Sequence, residues 1–512
     1  MRKRIIAALM TLCMALSLLP GQVLAAGAAQ TGGAETAKGT GRVYVNEPDA
    51  QVALLQRTTQ NPVTDEAALA AAIGQSGTVT LGADIRISST LVIPKDTYAV
   101  LDLNGYVLQM TGSGSVFRVE REGDLTVKDT STDNRAHTFT VGSDGVWALD
   151  DGGEKTVTGG VITGGDAEYG GGVYIERDGK FALEGGSIVG CRASGSGGGV
   201  YVEKNGWFTM KGGSIVGCRA GEYGGGVYLE ENGKFTLEKG SIVGCRAGEY
   251  GGGVYLSRQA WMAMTGGEIA GCTAGQDPSN GLAGQDLSAG LYLRGGRLSA
   301  NGGTIKDEVF SAGTIDSAAG KAGCTEFQAR VTNQVIPAEV SLDGKIRHGR
   351  FNETVVNQNG GIIDGGTFLG DVENIDAHIG AGFVASGGTF YGNVTNGGTD
   401  EAKGVSSIFE GTFYGKVTNG RQNGPEESAR IRGGTFRGEV TNEKSGDIKS
   451  GTFYSGITNE GGTVGKCMVR RCTPSRWYPA AKRPPIPGRA GTATPSTAGT
   501  PPIRRFMTSA RR

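Results

Sequence analysis

Short runs in which apolar and polar residues alternate recur along the middle of the chain. Two apolar residues flank an aromatic one in Val173-Tyr174-Ile175, and Phe181-Ala182-Leu183 has the same pattern. Successive side chains of a strand point to opposite faces, so this alternation predicts β-strands with one buried face. The equivalent inward pairs of later copies are Val200 and Val202, Val227 and Leu229, Val254 and Leu256, Phe208 and Met210, Phe235 and Leu237, and Met262 and Met264.

A third run, SIVG, adds one buried isoleucine to each copy: Ile188, Ile215, Ile242 and Ile269. The copies keep a fixed period, because Cys191, Cys218, Cys245 and Cys272 are each 27 residues apart, and an earlier copy has Gly164 in the cysteine position. A period of this length indicates a solenoid, in which each unit buries its apolar face against the next. Three strands and three glycine-rich corners per copy predict an all-β fold, a parallel β-helix with coils about 4.8 Å apart.

The second half of the chain has a different motif. Seven phenylalanines are each followed four residues later by Val or Ile and six residues later by Asn. The phenylalanines are Phe327, Phe351, Phe368, Phe390, Phe413, Phe436 and Phe453, and the asparagines are Asn333, Asn357, Asn374, Asn396, Asn419, Asn442 and Asn459. Residues four apart are expected on one strand face, and the asparagines are predicted to form a hydrogen-bonded ladder at a corner beyond a bend. A polar ligand groove lined by the amides is the alternative.

The invariant offset of this motif also predicts stacking. Phe390, Phe413 and Phe436 are expected to form one stack inside the coils, with a parallel stack of Val394, Val417 and Val440. The spacing between copies varies, so the turns on the opposite side of the coil are expected to differ in length.

The two ends of the chain differ from the repeats. Arg2, Lys3 and Arg4 precede an apolar stretch and a small-residue site at Ala25, a pattern typical of a secretory signal peptide. A short helix from Thr64 to Ile73, capped by Thr64, is expected to cover the open end of the first coil. The predicted divisions are a signal peptide (1–25), a linker (26–60), the β-helix with its cap (61–315), its continuation (316–464) and a basic, proline-rich tail (465–512). The tail is interpreted either as a disordered wall-binding segment or as a segment translated in the wrong frame.

The cap helix, the strand LDLNGYVL at Leu101–Leu108 and the GGSI and GGGVY segments resemble secreted pectin-lyase-like proteins of gut Firmicutes, over roughly residues 60–464. The resemblance implies a right-handed β-helix that is secreted or displayed at the cell surface. Polygalacturonases of this fold carry clustered aspartates with a Gly-His-Gly segment, whereas none of the 3 histidines here lies in one. The pair Asp150-Asp151 is interpreted as part of a glycine-rich turn. No catalytic residue, metal ligand or cofactor is therefore predicted.

The charge content restricts the kinds of partner, and the cysteine pattern predicts the redox state of the cysteines. The chain has 50 Lys and Arg against 51 Asp and Glu, which argues against nucleic acid or an anionic membrane as the main partner. No membrane insertion is expected after signal cleavage, and a monomer is expected. The repeat cysteines are predicted to form a buried, reduced stack, because side chains in register point in parallel rather than toward each other.

The candidate binding site is a column of outward aromatic residues, Tyr174, Tyr201, Tyr228, Tyr255 and Tyr292, together with Trp207 and Trp261 two coils apart. Exposed stacked aromatics would offer a surface for sugar rings. The alternative is that tyrosine simply suits a β-sheet face. The expected function is an adhesive or interaction scaffold for glycans or for host or neighbouring-cell surface molecules. A polysaccharide lyase or glycoside hydrolase on the same fold is the first alternative, and a structural stalk is the second.

Overall fold

The computed structural model describes residues 62–275, 290–316, 323–336, 344–380, 387–397, 404–425, 427–465 and 468–469. The predicted signal peptide, the linker and all of the basic tail except residues 465 and 468–469 lie outside these residues. The one helix in the described part, Glu66–Ile73, has eight residues, and no helix there is long and apolar enough to cross a membrane.

Parallel strands stack in register into a right-handed β-helix, as the repeats predict. Each coil adds one strand to each of three ladders, named here sheet 1, sheet 2 and sheet 3. Equivalent residues of successive copies are direct partners, so that Tyr174 opposes Tyr201 in sheet 1 and Phe181 opposes Phe208 in sheet 2. The repeat period of the sequence is therefore the length of one coil.

Sheet 1 consists of Leu91–Ile93, Phe117–Val119, Val173–Ile175, Val200–Val202, Val227–Leu229, Val254–Leu256, Leu291–Leu293, Val309–Ser311, Val331–Gln334, Val355–Gln358, Val372–Ile375, Val394–Asn396, Val417–Asn419, Val440–Glu443 and Ile457–Glu460. Sheet 2 consists of Gly77–Thr80, Tyr98–Asp102, Asp124–Lys128, Lys180–Leu183, Trp207–Met210, Lys234–Leu237, Thr314–Asp316, Lys345–Ile346, Ile362–Ile363, His378–Ile379, Ser406–Ile408, Ala429–Ile431, Gly446–Ile448 and Thr463–Val464. Sheet 3 consists of Ile85–Ile87, Val107–Met110, Val161–Thr163, Ser187–Val189, Ser214–Val216, Ser241–Val243, Glu326–Phe327, Arg350–Phe351, Thr367–Phe368, Thr389–Phe390, Thr412–Phe413, Thr435–Phe436, Thr452–Phe453 and Met468–Val469. Two long strands, Trp261–Ala270 and Arg297–Ile305, run through both sheets 2 and 3.

The inward side chains of the three sheets form one continuous hydrophobic core. Phe208, Met210 and Ile215 are fully buried, and so are their equivalents in neighbouring coils. Like residues lie on like residues, and the rings of Phe181, Phe208 and Phe235 stack with centroids 5.2 and 4.8 Å apart. Burying one such large apolar side chain contributes about 1.5–3 kcal/mol, so each coil depends on contact with the coils on either side of it.

A fourth strand of two residues per copy, which the sequence did not predict, follows each cysteine and, in the earliest copy, Gly165, which takes the cysteine position in place of the expected Gly164. These strands are Asp166–Ala167, Arg192–Ala193, Arg219–Ala220, Arg246–Ala247 and Thr273–Ala274. The cysteines turn inward at this corner, where Cys218 Sγ donates to the carbonyl oxygens of Ile188 and Val216 at 3.8 and 3.6 Å. All four repeat cysteines are buried and free, in agreement with the predicted reduced stack.

The helix at the N-terminal end begins later than predicted and has a different cap. Asp65, not Thr64, is the N-cap, and its Oδ1 accepts a hydrogen bond from Ala68 N at 2.9 Å. Thr64 still belongs to the extended chain, because the preceding residue, Val63, bridges to Leu81 of the first coil. The buried Leu69 and Ile73 face that coil, so the helix covers the end of the core, as predicted.

An insertion between the early coils folds into an antiparallel sheet that the sequence did not predict. Its strands are Ala136–Val141, Trp147–Leu149 and Lys155–Thr158. Phe139 and Trp147 of this sheet pack on the outward residues Val189 and Val216 of sheet 3 and keep them from water. Asp150 and Asp151 lie in a turn of this sheet, where Gly153 N donates to Asp150 O at 3.0 Å, as predicted.

The phenylalanine and the valine of each second-half motif lie on different strands, so the expectation that they share one strand face is wrong. Phe368 ends a strand of sheet 3 and Val372 begins a strand of sheet 1. The chain bends at Gly370, where a Cβ atom would lie 2.3 Å from the backbone carbonyl of Glu353. The bend therefore comes before the valine. Asn374 follows Val372 by two residues and points inward from the same strand.

The asparagines form the predicted ladder. Each Nδ2 donates to the Oδ1 of the asparagine in the next coil, at 2.7–2.9 Å over six successive pairs from Asn333 to Asn459. The amides also close the turns that follow them, as when Asn357 Nδ2 donates to Gly361 O at 3.1 Å. All except Asn459 are fully buried, so they do not line a ligand groove.

The predicted phenylalanine stack is also confirmed. All seven rings are fully buried, with successive centroids 4.6–4.8 Å apart. A third inward column, which the sequence did not predict, completes these coils from sheet 2: Ile346, Ile363, Ile379, Ile408, Ile431 and Ile448. The ladder of strands continues to Met468–Val469, which pairs with Thr452–Phe453 beyond the predicted boundary at residue 464.

Replacing Phe413 by Ala should lower the free energy of unfolding by about 3–5 kcal/mol, because it deletes a fully buried ring between Phe390 and Phe436. Equilibrium urea unfolding followed by circular dichroism measures this loss. The control is the adjacent, exposed Tyr414, whose replacement by Ala should cost less than about 1 kcal/mol. Equal losses of stability in the two variants would contradict the assignment of Phe413 to the inward face of the strand and of Tyr414 to the outward face.

Replacing Asn419 by Ala should lower the free energy of unfolding by about 2–4 kcal/mol, because it leaves Asn396 Nδ2 and Asn442 Oδ1 buried without their partners. The matched control is Asn459→Ala at the exposed last rung, where water can replace the lost bond and the cost should stay below about 1 kcal/mol. A similar cost at both positions would argue against stabilisation by buried amide pairs.

Candidate functional site

The five predicted tyrosines form a continuous column on the outward side of sheet 1. Their rings stack from Tyr174 to Tyr292 with centroids 5.0–5.4 Å apart. However, Tyr201, Tyr255 and Tyr292 are only 7%, 2% and 3% exposed. The expectation of an exposed aromatic surface is therefore wrong for these three residues, and the stacking also occupies the ring faces that a sugar would contact.

A second layer of tyrosines covers the column. It comes from the Glu-Tyr pairs that precede GGGVY and consists of Tyr169, Tyr223 and Tyr250. Each ring lies over the column tyrosine of the following coil: Tyr169 over Tyr201 at 5.0 Å, Tyr223 over Tyr255 at 4.9 Å and Tyr250 over Tyr292 at 4.8 Å. The strand pattern alone predicts that the column tyrosines point outward, but it does not predict this second layer.

The column tyrosines also have carboxylate partners. Tyr174 donates to Glu203, and Tyr201 donates to Glu230 at 2.9 Å, so each hydroxyl bonds to the glutamate of the following coil. Burial, with the carboxylate in second place, raises the pKa of both tyrosines above the ordinary value. Tyr201 thus has both a covering ring and a glutamate partner, Tyr174 has the glutamate, and Tyr255 and Tyr292 have the covering ring.

Tyr228 lacks both partners, because the repeat has serine in place of each. The copy before it has Ser196 where Tyr169, Tyr223 and Tyr250 stand in other copies, so no ring of that copy covers Tyr228. The copy after it has Ser257 where Glu203 and Glu230 stand, so Tyr228 has no carboxylate at this position. Its side chain is consequently half-buried, unlike those of Tyr201 and Tyr255.

A cleft of about 440 Å³ opens at this place, named here the Tyr228 cleft. It is lined by Lys204, Tyr223, Tyr228, Glu230, Glu231, Tyr255, Ser257, Arg258 and Arg294. The Oγ atom of Ser257 is buried and accepts or donates no hydrogen bond within the described part of the chain. Burial raises the pKa of Tyr228, although Arg294 acts in the opposite direction. Its hydroxyl therefore stays protonated at neutral pH and is available as a donor.

A larger opening of about 580 Å³ lies over Tyr174, at the first tyrosine of the column. Its lining includes Asp166, Glu168 and Tyr169, so it is acidic. Tyr174 keeps its glutamate there, and the coil before it contributes no covering tyrosine. The two clefts thus share an uncovered tyrosine but differ in charge and in hydrogen-bonding partners.

The predicted tryptophans belong to a different face. Trp207 and Trp261 lie on sheet 2, two coils apart as expected, with Lys234 between them. Lys234 Nζ lies 4.9 Å from the centroid of the Trp207 ring, and Trp261 Nε1 donates to Ser299 Oγ at 3.2 Å. Trp207 is exposed, but the structure does not bring it together with the tyrosine column.

The most exposed stacked tyrosines lie in the second half, where no site was predicted. Tyr391 and Tyr414 are each 44% exposed and stack at 5.0 Å, and Arg437 lies 5.6 Å from the Tyr414 ring. The signal was present in the sequence, since both tyrosines follow the phenylalanine of GTFYG and must point to the opposite face. Their ring faces are likewise turned toward each other.

The carboxylates that stack along the early coils are engaged in structural contacts. Glu176 accepts from Arg118 Nε at 2.6 Å, and Glu203 accepts from the Arg177 backbone at 2.8 Å. Across the described ranges, no group of three or more His, Cys, Asp or Glu side chains is placed to hold a metal ion. Comparison with known proteins finds no match to this chain among family models, curated proteins or solved structures.

The raised tyrosine pKa values predict a loss of stability at alkaline pH. Below the ordinary tyrosine value of about 10 the stabilisation is fully present. As the pH rises above that value toward the raised pKa of the folded state, unfolded tyrosines ionise first, and the free energy of unfolding falls. Urea unfolding from pH 9 to pH 11 measures the slope, which should be smaller for Tyr201→Phe. If the free energy of unfolding falls equally steeply with pH in the unaltered protein and in Tyr201→Phe, the contribution assigned to Tyr201 is contradicted.

Proposed function

We propose that this chain is a secreted or cell-surface β-helix that binds saccharides at the Tyr228 cleft and serves as an adhesive scaffold. The observation that carries the proposal is the paired departure from the repeat at Ser196 and Ser257. The strands of sheet 1 stay in register on both sides of Tyr228, so the scaffold is intact where this tyrosine lacks the covering ring and the glutamate that Tyr201 has.

The lining of the cleft suits a saccharide. Its walls include Tyr223, Tyr228 and Tyr255, beside basic and acidic side chains. Sugar hydroxyls both donate and accept, and a cleft with aromatic walls and a few fixed polar groups is the usual form of a small-ligand site. The rings of Tyr201 and Tyr255 occupy the faces of Tyr228, so recognition rests on hydrogen bonds rather than on ring stacking.

Binding is favoured over catalysis because the carboxylates of the cleft already have partners. Glu230 accepts from the Tyr201 hydroxyl at 2.9 Å and from Lys204 N at 3.2 Å. Glu231 pairs with Lys204 Nζ at 3.0 Å. A general acid or base needs a carboxyl group that can exchange a proton with substrate. The carboxylates of Glu230 and Glu231 are instead engaged with the Tyr201 hydroxyl and with Lys204.

The location outside the cell is supported by the sequence. The basic residues, apolar stretch and small-residue site of residues 1–25 follow the pattern of a secretory signal peptide. The GGSI and GGGVY segments resemble secreted pectin-lyase-like proteins of gut Firmicutes. The proposed ligands are accordingly glycans of a host or of neighbouring cells.

Replacing Ser257 by Glu tests the proposal, because it restores the repeat. The new carboxylate should accept from Tyr228 as Glu230 accepts from Tyr201, and it should fill the cleft. We expect binding on a glycan array, followed by calorimetry with the best ligand, to fall about tenfold or more, with unchanged or higher thermal stability. The matched control is Thr265→Glu, which adds the same charge to the exposed face of the same coil.

Three outcomes would count against the proposal. Unchanged binding in Ser257→Glu would place the site elsewhere, and equal losses in both variants would indicate a general charge effect. Release of reducing sugar or unsaturated uronate from plant or mucin polysaccharides would favour the lyase or hydrolase alternative.

A further inference from the structure

We infer that a single linear, uncharged oligosaccharide occupies the cleft over Tyr174 and the Tyr228 cleft together, lying along the axis of the β-helix. This inference rests on the proposed function and deepens it, because it names the shape and the charge of the ligand. The structural basis is that both clefts are gaps in the same layer of covering tyrosines.

The two gaps have the same origin in the sequence. Ser113 and Ser196 each precede their strand of sheet 1 by four residues, the position at which other copies have the covering tyrosine. Those strands are in register, so the covering positions follow one another from coil to coil. Along the axis the layer consists of Ser113, Tyr169, Ser196, Tyr223 and Tyr250.

The spacing of the two gaps suits a linear glycan. Tyr174 opposes Tyr201, and Tyr201 opposes Tyr228, so the two uncovered tyrosines are two coils, or about 10 Å, apart along the axis. This is about the length of two sugar units in an extended chain. The clefts, of about 580 and 440 Å³, have the size of small-ligand sites. A chain of three or four units therefore reaches from one cleft into the other.

The surface between the clefts is low and partly aromatic. Tyr169 covers Tyr201 there, and it is still 37% exposed. Its ring lies against Gly195, where a Cβ atom would be 2.8 Å from the ring. Ser194 and Ser196 flank this glycine, so the segment that passes between the clefts has only small side chains at these three positions. The exposed part of the Tyr169 ring is thus free to pack against the middle of the glycan.

The two clefts offer different hydrogen-bonding groups to such a chain. At the first cleft the carboxylates of Asp166 and Glu168 are acceptors for sugar hydroxyls. At the second cleft the hydroxyl of Tyr228 is a donor, since burial raises its pKa and keeps it protonated. Sugar hydroxyls both donate and accept, so one neutral chain satisfies both ends.

The cleft over Tyr174 disfavours an acidic glycan. All of its lining residues belong to the described part of the chain, and they include Asp166 and Glu168 but no basic side chain. Arg192, the register partner of Asp166 in the next coil, is paired with Asp144 instead. Like charges brought together across an interface cost free energy. A chain of uronates would therefore be repelled at this end, whereas an uncharged chain would not.

The test is a length series, titrated by calorimetry into the full chain. Suitable probes are linear β-linked gluco-, manno- and N-acetyllactosamine oligosaccharides of two to six units. In the series that binds, we expect affinity to rise about tenfold or more between two and four units, when the ligand begins to reach both clefts. Beyond six units the affinity should change little. An affinity that does not depend on length would overturn the inference.

Replacing Ser113 by Tyr separates the two clefts. The new ring should cover Tyr174 in the way that Tyr169 covers its own neighbour, so tetrasaccharide binding should fall about tenfold while disaccharide binding at the Tyr228 cleft stays nearly unchanged. The matched control is Thr132→Tyr, which adds the same ring at an exposed position outside the lining of both clefts. Equal tetrasaccharide affinities in the two variants would overturn the assignment of the first cleft.

The charge of the ligand is tested on the same tetrasaccharide. Oxidation of its primary hydroxyls to carboxylates should weaken binding about tenfold or more, and the difference should shrink in the double variant Asp166→Asn, Glu168→Gln. The matched control is Glu222→Gln, an exposed carboxylate in the same column as Glu168, which should keep the full difference. Tighter binding of the oxidised form would contradict an uncharged ligand.

Failure of this inference and failure of the proposed function give different results. If affinity does not depend on length and Ser257→Glu still reduces binding, the two-cleft inference is overturned and saccharide binding at the Tyr228 cleft stands. If no saccharide binds, the proposed function is overturned, and this inference with it.

Discussion

The whole structure depends on the stacking of equivalent residues at the spacing of parallel strands. Coils about 4.8 Å apart place every inward side chain against its own counterpart, so an inward position must hold a residue that packs on copies of itself. Phenylalanine meets this condition with rings 4.6–4.8 Å apart, and the aliphatic residues and cysteines meet it through size and low polarity. Asparagine meets it because one amide is both donor and acceptor, whereas a stacked row of like charges would repel.

The same rule explains how much of the fold is readable from sequence. Period and alternation together identify the buried columns, because a residue repeated at 27-residue intervals in a strand pattern has to lie on its equivalents. They do not identify bends. Phe368 and Val372 are four apart, which also fits one strand, and Gly370 between them is one glycine among many. The sheet formed by Ala136–Val141, Trp147–Leu149 and Lys155–Thr158 could not be predicted, because it occurs once and has no copy for comparison.

The site was predicted only in part, for a related reason. Alternation indicates which way Tyr201 and Tyr255 point from their own strands, but it contains no information about what lies over them. Their cover comes from Tyr169 and Tyr223, which lie outside the three runs of alternating residues. The informative signal was the departure from the repeat at Ser196 and Ser257. In a protein made of near-identical copies, a position at which one copy departs from the repeat indicates a candidate site more specifically than a residue that recurs in every copy.

The asparagine ladder gives the interior a direction. At every rung Nδ2 points toward the C-terminal coil and Oδ1 toward the N-terminal one, and the second amide hydrogen of Asn357 is held by the Gly361 carbonyl. Reversing a single amide would bring two oxygens together on one side and two nitrogens on the other, so no rung can turn alone. The amide dipoles are therefore locked in parallel, and Asn333 Oδ1, which accepts no hydrogen bond from any described residue, is the negative pole of the row. The second-half coils therefore carry a net amide dipole along the axis of the β-helix, which the hydrogen bonds of all the rungs hold together in one direction.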